Sequence, residues 1–207
     1  MIVKNQAIVI KSFPYGDTSL ISRLILNDGN KISLLIKGAI SIKSNKGALF
    51  QPLNLIEIDY YYKETRDIQI YKEGTLINGF MNLRKSFDSI KYSLSMIDII
   101  DKTLAKHNHE NIIFNLLENC LLKMSNKYNK KIVFIYFLLL YSHYSGYSIA
   151  SLNYQSNNID LSNNMEYDKL EQLIMNYKHD YIIKELIYLI GLNINEIKNV
   201  KSLRFLK

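Results

Sequence analysis

AIVIKSFPYGDTSLISRLILNDGNKISLLIKGA, residues 7–39, is the stretch whose reading decides the fold. From Gln6 to Phe13 and from Ser19 to Leu26 it is rich in Ile, Val and Leu with partial two-residue alternation, the pattern of strands that face two environments. Between Leu26 and Lys31 stand Asn27, Asp28, Gly29 and Asn30, residues that tolerate left-handed backbone angles. The β pattern then resumes from Lys31 to Ala39, so residues 19–39 form a predicted hairpin.

A polar, glycine-punctuated loop is expected from there to about Phe50. Leu53, Leu55, Ile56, Ile58, Tyr60 and Tyr62 then alternate with Asn54, Glu57 and Asp59, a fourth strand from Leu53 to Tyr62. A turn from Lys63 to Asp67 leads into a fifth strand, Ile68 to Leu76. Five short, mostly antiparallel strands suit a small closed barrel, which leaves no open edge; the OB-fold is one such barrel.

From Asn82 the hydrophobic period lengthens to that of a helix. Leu83, Phe87, Ile90, Leu94, Ile97 and Leu104 predict one buried stripe, and Ile113, Leu116, Leu117, Cys120, Leu121 and Met124 a second. The segment Ile132 to Tyr144 is apolar nearly all round and is expected at the centre of a bundle, stopped by Gly146. Residues 151–164, SLNYQSNNIDLSNN, are Ser/Asn-rich and predict a loop. Two further helices fit Glu166 to Tyr177 and Asp180 to Leu192. The expected architecture is α+β: a barrel domain over residues 1–80 and a helical domain over 81–207.

Composition bounds the function. Of 207 residues 48% are hydrophobic and 22% charged, with a net charge of +7, which argues for a packed core and against disorder. A single cysteine, Cys120, excludes an intrachain disulfide and a cysteine-based zinc site, and its place on a helical stripe predicts a buried, inert thiol. The longest apolar run, Ile132 to Tyr141, is about half of the roughly 20 residues that a membrane-spanning helix needs. The opening residues lack a long apolar run and a small-residue cleavage site, so no secretory signal is expected and the cytoplasm is the predicted location.

The charge is unevenly spread. Residues 1–80 hold ten basic and seven acidic side chains, residues 81–151 nine and five, and residues 152–207 seven of each. Between Gly29 and Ile56 stand Lys31, Lys37, Lys43 and Lys46 with no acid. Such lysines neutralise a polyanion and release its counterions, although a solvated loop has the same composition. Sixteen tyrosines include Tyr15, Tyr60, Tyr61, Tyr62 and Tyr71 in or beside the barrel, as stacking platforms for bases or as core and strand aromatics.

Catalytic patterns are missing. The chain has no phosphate-binding GxxxxGK[ST], no GxGxxG, no HExxH and no GxSxG. His107 and His109 form an HxH that nothing nearby completes, and His143 and His179 stand alone. The close carboxylate pairs Asp98 with Asp101 and Glu57 with Asp59 read as solvated faces rather than a metal site. The expectation is no enzyme, no metal and no cofactor.

Residues 7–39, followed by SIKSNKGALFQPLNLIEIDYYYK over residues 41–63, resemble the N-terminal domain of the bacterial recombination and repair family RecO. The resemblance rests on Tyr15-Gly16-Asp17-Thr18-Ser19, the turn at Asp28-Gly29, Lys37-Gly38-Ala39, the basic Lys43 and Lys46, and Phe50-Gln51-Pro52. Lys201 to Leu206, KSLRFL, is similar to a further segment of the family. Each motif is short, and their order and spacing carry the specificity. The resemblance implies an OB-fold and then a helical domain, without cofactor-dependent catalysis. It also implies binding of single- and double-stranded DNA, annealing of complementary strands, and work with RecR that helps RecA replace single-strand-binding protein, in the cytoplasm on the nucleoid. Many members carry a four-cysteine zinc site, which this chain lacks the cysteines to build.

Together these readings place the DNA contact on Lys37, Lys43 and Lys46, extended by Lys11, Arg23 and Lys31, with Tyr15 as a stacking ring. Arg84, Lys85 and Lys91, and Lys127, Lys130 and Lys131, are expected to continue the track. The competing reading makes the helical domain a dock for RecR or for the acidic tail of single-strand-binding protein. Such a tail, apolar at its end, calls for a hydrophobic pocket with a basic rim.

Overall fold

The computed structural model describes residues 1–41, 46–104, 111–154, 157–161 and 166–206. The chain divides into two compact units, Met1–Phe80 with Leu104–Asn115, and Met81–Thr103 with Leu116–Lys207.

The first unit holds β1 (Ile2–Tyr15), β2 (Ser19–Leu26), β3 (Lys31–Ile36), a one-turn helix α1 (Lys46–Leu49), β4 (Leu55–Tyr61) and β5 (Ile68–Asn78). The five strands close in the order β1-β2-β3-β5-β4 and back to β1, with β3 and β5 parallel and every other pair antiparallel. This is the expected OB-fold barrel, and with the helices that follow it makes an α+β chain. Side chains of one parity fill it: Ala7, Val9, Leu24, Leu26, Leu34, Ile36, Ile56, Ile58 and Tyr60 form a buried core with Phe50. At Ala7–Ile10 the alternation in sequence is weak because both faces of β1 are buried there. A bulge between Val9 and Lys11 then resets the register. The closure is short, since β3 meets β5 only over Ser33–Leu35 and Ile68–Ile70.

The second unit holds α2 (Phe87–Thr103), α3 (Ile112–Ser125, whose first turn is grouped with the barrel), α4 (Lys130–Tyr144), β6 (Ser151–Tyr154), β7 (Asn157–Asp160), α5 (Tyr167–Ile174) and α6 (His179–Asn193). As its all-round apolarity predicts, α4 is buried from Ile132 to Ser142 except at Tyr136, and it packs against α2, α5 and α6. It stops at Gly146, which at φ 85° lets the Tyr147 N–H reach the Ser142 carbonyl at 2.8 Å and its own N–H reach His143 at 3.0 Å.

Three expectations are corrected. Lys46 stands on α1 rather than in open loop, because the KGAL turn is too short to show a helical period. Residues 151–164 are not all loop: β6 and β7 pair antiparallel, with Leu152, Tyr154 and Ile159 buried by an alternation that the Ser/Asn composition obscures. On α2 the stripe is rotated, so Phe87 is 74% exposed and Leu94 37%, while Ser89, Tyr92, Ser93, Met96 and Ile100 are buried. Small serines allow close helix approach, and a count of apolar residues passes over them.

Candidate nucleic-acid interface

The β1–β2 ladder sets the arrangement. Lys11 stands opposite Arg23, Phe13 opposite Ile21 and Tyr15 opposite Ser19. Ser12 and Ser22, of the other parity, turn inward: Ser12 Oγ donates to the Phe50 carbonyl at 2.7 Å and lies 2.9 Å from Ser22 Oγ. Lys11, Phe13 and Tyr15 therefore share the outer face of β1 with Arg23 on β2. Arg23 faces Ser33 across β2 and β3, and Lys31 faces Ile25, which carries the same outer face onto β3. Phe13 is 40% exposed and Tyr15 56%. Sequence reasoning passes over Phe13, although its two-residue spacing from both Lys11 and Tyr15 is the signal that finds it.

Loops at one end of the barrel are stitched together beside this face. The Ile40 N–H donates to the Thr18 carbonyl at 2.9 Å, tying the Lys37-Gly38-Ala39 turn to the β1–β2 turn. Gly38 takes φ 69°, the left-handed geometry for which glycine is suited, and the Ser41 hydroxyl donates to its carbonyl at 3.0 Å. A Cβ on Gly47 would stand 2.9 Å from the Ala39 carbonyl oxygen, so α1 abuts the same turn. The Asn54 amide closes α1 by donating to the carbonyls of Ala48 and Leu49, at 3.1 and 2.9 Å. Lys37 and Lys46 are thus gathered with Tyr15 at one end, and Lys43 lies outside the described residues.

Asp17 stands in the β1–β2 turn near Tyr15, while two other acids of the barrel lie on β4 and are paired. Glu57 pairs with Lys4 at 2.8 Å, and Asp59 with Lys72 at 3.9 Å. In the second unit Asp98 accepts from the Ser202 hydroxyl at 2.9 Å and from its N–H at 3.2 Å. Among the described residues no group of three or more His, Cys, Asp or Glu side chains is placed to hold a metal ion. His107 and His109 lie outside the described residues. Cys120 is fully buried, and burial pushes its thiol pKa up, away from the reactive thiolate.

Arg84 and Lys85 belong to the second unit, on a short 3-10 helix, Leu83–Lys85. Several of the other basic residues expected to extend the track are committed locally. Lys91 pairs with Asp88 at 3.0 Å and lies 4.7 Å over the Tyr92 ring. Lys130 caps α3 through the Met124 carbonyl at 2.9 Å, and Lys131 pairs with Asp180 at 2.6 Å.

The second unit also contains a pocket of about 580 Å³, formed by α6 and the 3-10 turns that follow it. Ile183, Ile187, Ile197, Val200 and Leu203 line it, and Lys184, Lys198 and Arg204 stand at its edge. It is a hydrophobic pocket with a basic rim, whose position the sequence did not give away.

Among the described residues no helix is long and apolar enough to cross a membrane. Residues 1–80 match the family model described as Recombination protein O N terminal. DNA repair protein RecO of Salinibacter ruber is 28% identical over 124 residues, which cover 60% of this chain and 48% of that protein. The RecO protein of Chlorobium limicola is 29% identical over 140 residues, 67% of this chain and 54% of that one. That of Chlorobaculum parvum is 25% identical over 181 residues, 87% of this chain and 69% of its own. The chain spans about half the length of most of the curated relatives it matches. The barrel thus matches the model of the recombination protein O N-terminal family, and the chain is similar to the RecO repair proteins.

Proposed function

We propose that this chain is a DNA-binding recombination mediator that acts in recombinational repair without being an enzyme. The observation that carries the reading is the gathering of Lys11, Arg23, Lys31, Phe13 and Tyr15 on the outer face of β1–β3, with Lys37 and Lys46 at its end. Cations along such a face hold phosphates by counterion release, and rings between them stack bases without regard to sequence. Two strands held this way repel each other less, and base pairing supplies the energy of annealing, so no nucleotide hydrolysis and no cofactor are needed. In the wider process the chain works with RecR and helps RecA load onto single-stranded DNA coated with single-strand-binding protein, in the cytoplasm on the nucleoid. The RecO name of the relatives supports this role.

The test is fluorescence anisotropy of a labelled mixed-sequence single strand across a salt series, with wild type beside Lys11→Glu/Arg23→Glu and Lys37→Glu/Lys46→Glu. The expected result is a steep salt slope for wild type, and weaker binding with a shallower slope for each double variant. The slope should fall by about one unit for each phosphate that the variant no longer holds. Equal slopes for all three proteins would remove this face from the interface.

A second reading has its own observation, the apolar pocket rimmed by Lys184, Lys198 and Arg204. It suits the acidic, apolar-ended tail of single-strand-binding protein, with a side chain seated among Ile183, Ile187 and Ile197 and carboxylates at the rim. Lys184→Glu/Arg204→Glu is expected to abolish binding of a peptide of that chemistry while leaving the DNA salt slope unchanged.

A further inference from the structure

The far end of the barrel, away from the Lys37 turn, is open. The β2–β3 turn, the β4–β5 turn and the start of β1 surround a cavity of about 480 Å³ there. Its floor is apolar, with Val3, Leu26, Ile32 and the ring of Tyr60. Its wall is polar and held in place. The Tyr60 hydroxyl donates to Asn5 Oδ1 at 3.2 Å, and the Asn5 amide donates to Asn27 at 3.2 Å. Gln69 staples the β4–β5 turn by donating to the Arg66 and Lys63 carbonyls, at 2.7 and 3.0 Å, and accepting from the Lys63 N–H at 2.9 Å. Asn30, on the same wall, keeps its Oδ1 buried with no donor. At the mouth stand Tyr62, 40% exposed, the cations Lys31 and Arg66, and the carboxylates Asp28, Glu64 and Asp67.

Lys31 belongs both to this mouth and to the basic face, so the row Lys11, Arg23, Lys31 leads to the cavity. A strand following that row brings a nucleotide to the opening. The three carboxylates repel its phosphate and accept from the exocyclic amine of a base, as Asp and Glu do from cytosine. An aromatic ring at the lip and an apolar floor suit the face of a base, and barrel mouths are common ligand sites. We infer that the cavity receives one unpaired base of single-stranded DNA, with Tyr62 stacking on it, and that bases bearing an exocyclic amine are preferred over thymine. The inference rests on the DNA-binding reading and goes beyond it: phosphate contacts alone serve duplex and single strand alike, whereas an inserted base selects the single strand.

Anisotropy tests it with three labelled probes at fixed low salt: a single strand of cytosines, one of thymines, and an abasic strand of equal length. Wild type is expected to bind the cytosine strand more than tenfold tighter than the abasic one, with the base stacked on Tyr62 accounting for roughly tenfold beside the stacking on Phe13 and Tyr15, and a few-fold tighter than thymine. Tyr62→Ala is expected to bind the cytosine and thymine strands alike, with the advantage over the abasic strand cut to what stacking on Phe13 and Tyr15 supplies and the salt slope unchanged, and Tyr62→Phe to restore the preference. Equal wild-type binding of cytosine and abasic strands, with a steep salt slope, overturns the base pocket and leaves the phosphate face standing. A Tyr62→Ala protein that still discriminates as wild type does also overturns it. Failure of wild type to bind any probe overturns the DNA-binding reading and the pocket with it.

Discussion

Gly47 has no room for a side chain, because the Ala39 carbonyl oxygen lies 2.9 Å from where a Cβ would be. Backbone cannot swing aside as a flexible side chain does, so Gly47→Val is expected to push α1 off the Lys37 turn at a cost of about 1–3 kcal/mol. Thermal denaturation reads the cost, and a several-fold loss of DNA affinity reads the displaced Lys37 and Lys46. Tyr60 gives a pH prediction. Burial raises its phenol from 10.0 to about 12, with the Asp28 charge adding to the shift. Between those values the unfolded chain loses the proton while the folded one keeps it, so stability is intact below pH 10 and falls as pH rises toward 12. Denaturant midpoints measured across that window are expected to decline, and Tyr60→Phe to flatten the decline while weakening the protein slightly through loss of the Asn5 hydrogen bond.

At the scale of elements, the β6–β7 ribbon is held by aromatic edges rather than by a long ladder. The Tyr154 ring meets Tyr177 and Tyr181 edge-on, with centroids 5.0 and 5.1 Å away. Tyr154→Ala is expected to cost about 3–5 kcal/mol and to speed proteolysis within residues 151–161 before the rest of the chain is cut. This ribbon is also where the sequence was least legible. Asn and Ser mark turns by default, and four residues of alternation between them are too few to outweigh that signal. The barrel strands were legible because Ser19–Leu26 and Leu55–Tyr61 alternate over seven or eight residues and are bounded by turn chemistry. For the candidate site, the residue types were readable and their grouping was not: Lys11 and Arg23 are twelve positions apart, and only the ladder register, shifted by the bulge after Val9, sets them opposite each other.

At the scale of the molecule, the two candidate surfaces lie in different units, the basic face in the first and the apolar pocket in the second. Charge reversals in each are therefore expected to act independently. A protein carrying both Lys11→Glu/Arg23→Glu and Lys184→Glu/Arg204→Glu should show the sum of the separate binding deficits, as independent sites do, and a larger combined effect would mean that the sites are coupled.

The ring of strands has one weak join. Ser33–Leu35 meets Ile68–Ile70 over three residues, while β1 and β2 are laddered along most of their length. Joining segments so far apart in sequence is entropically costly, and three pairs return little for it. The seam is expected to form last in folding and to open first in the native protein, with the amides of Ile68–Ile70 exchanging with solvent well ahead of those of Ile21–Leu24. A barrel that unzips there becomes, for a moment, a curved sheet still intact along β1 and β2, so a strand of DNA bound as proposed across Lys11 and Arg23 would keep its hold while the far side of the ring breathes.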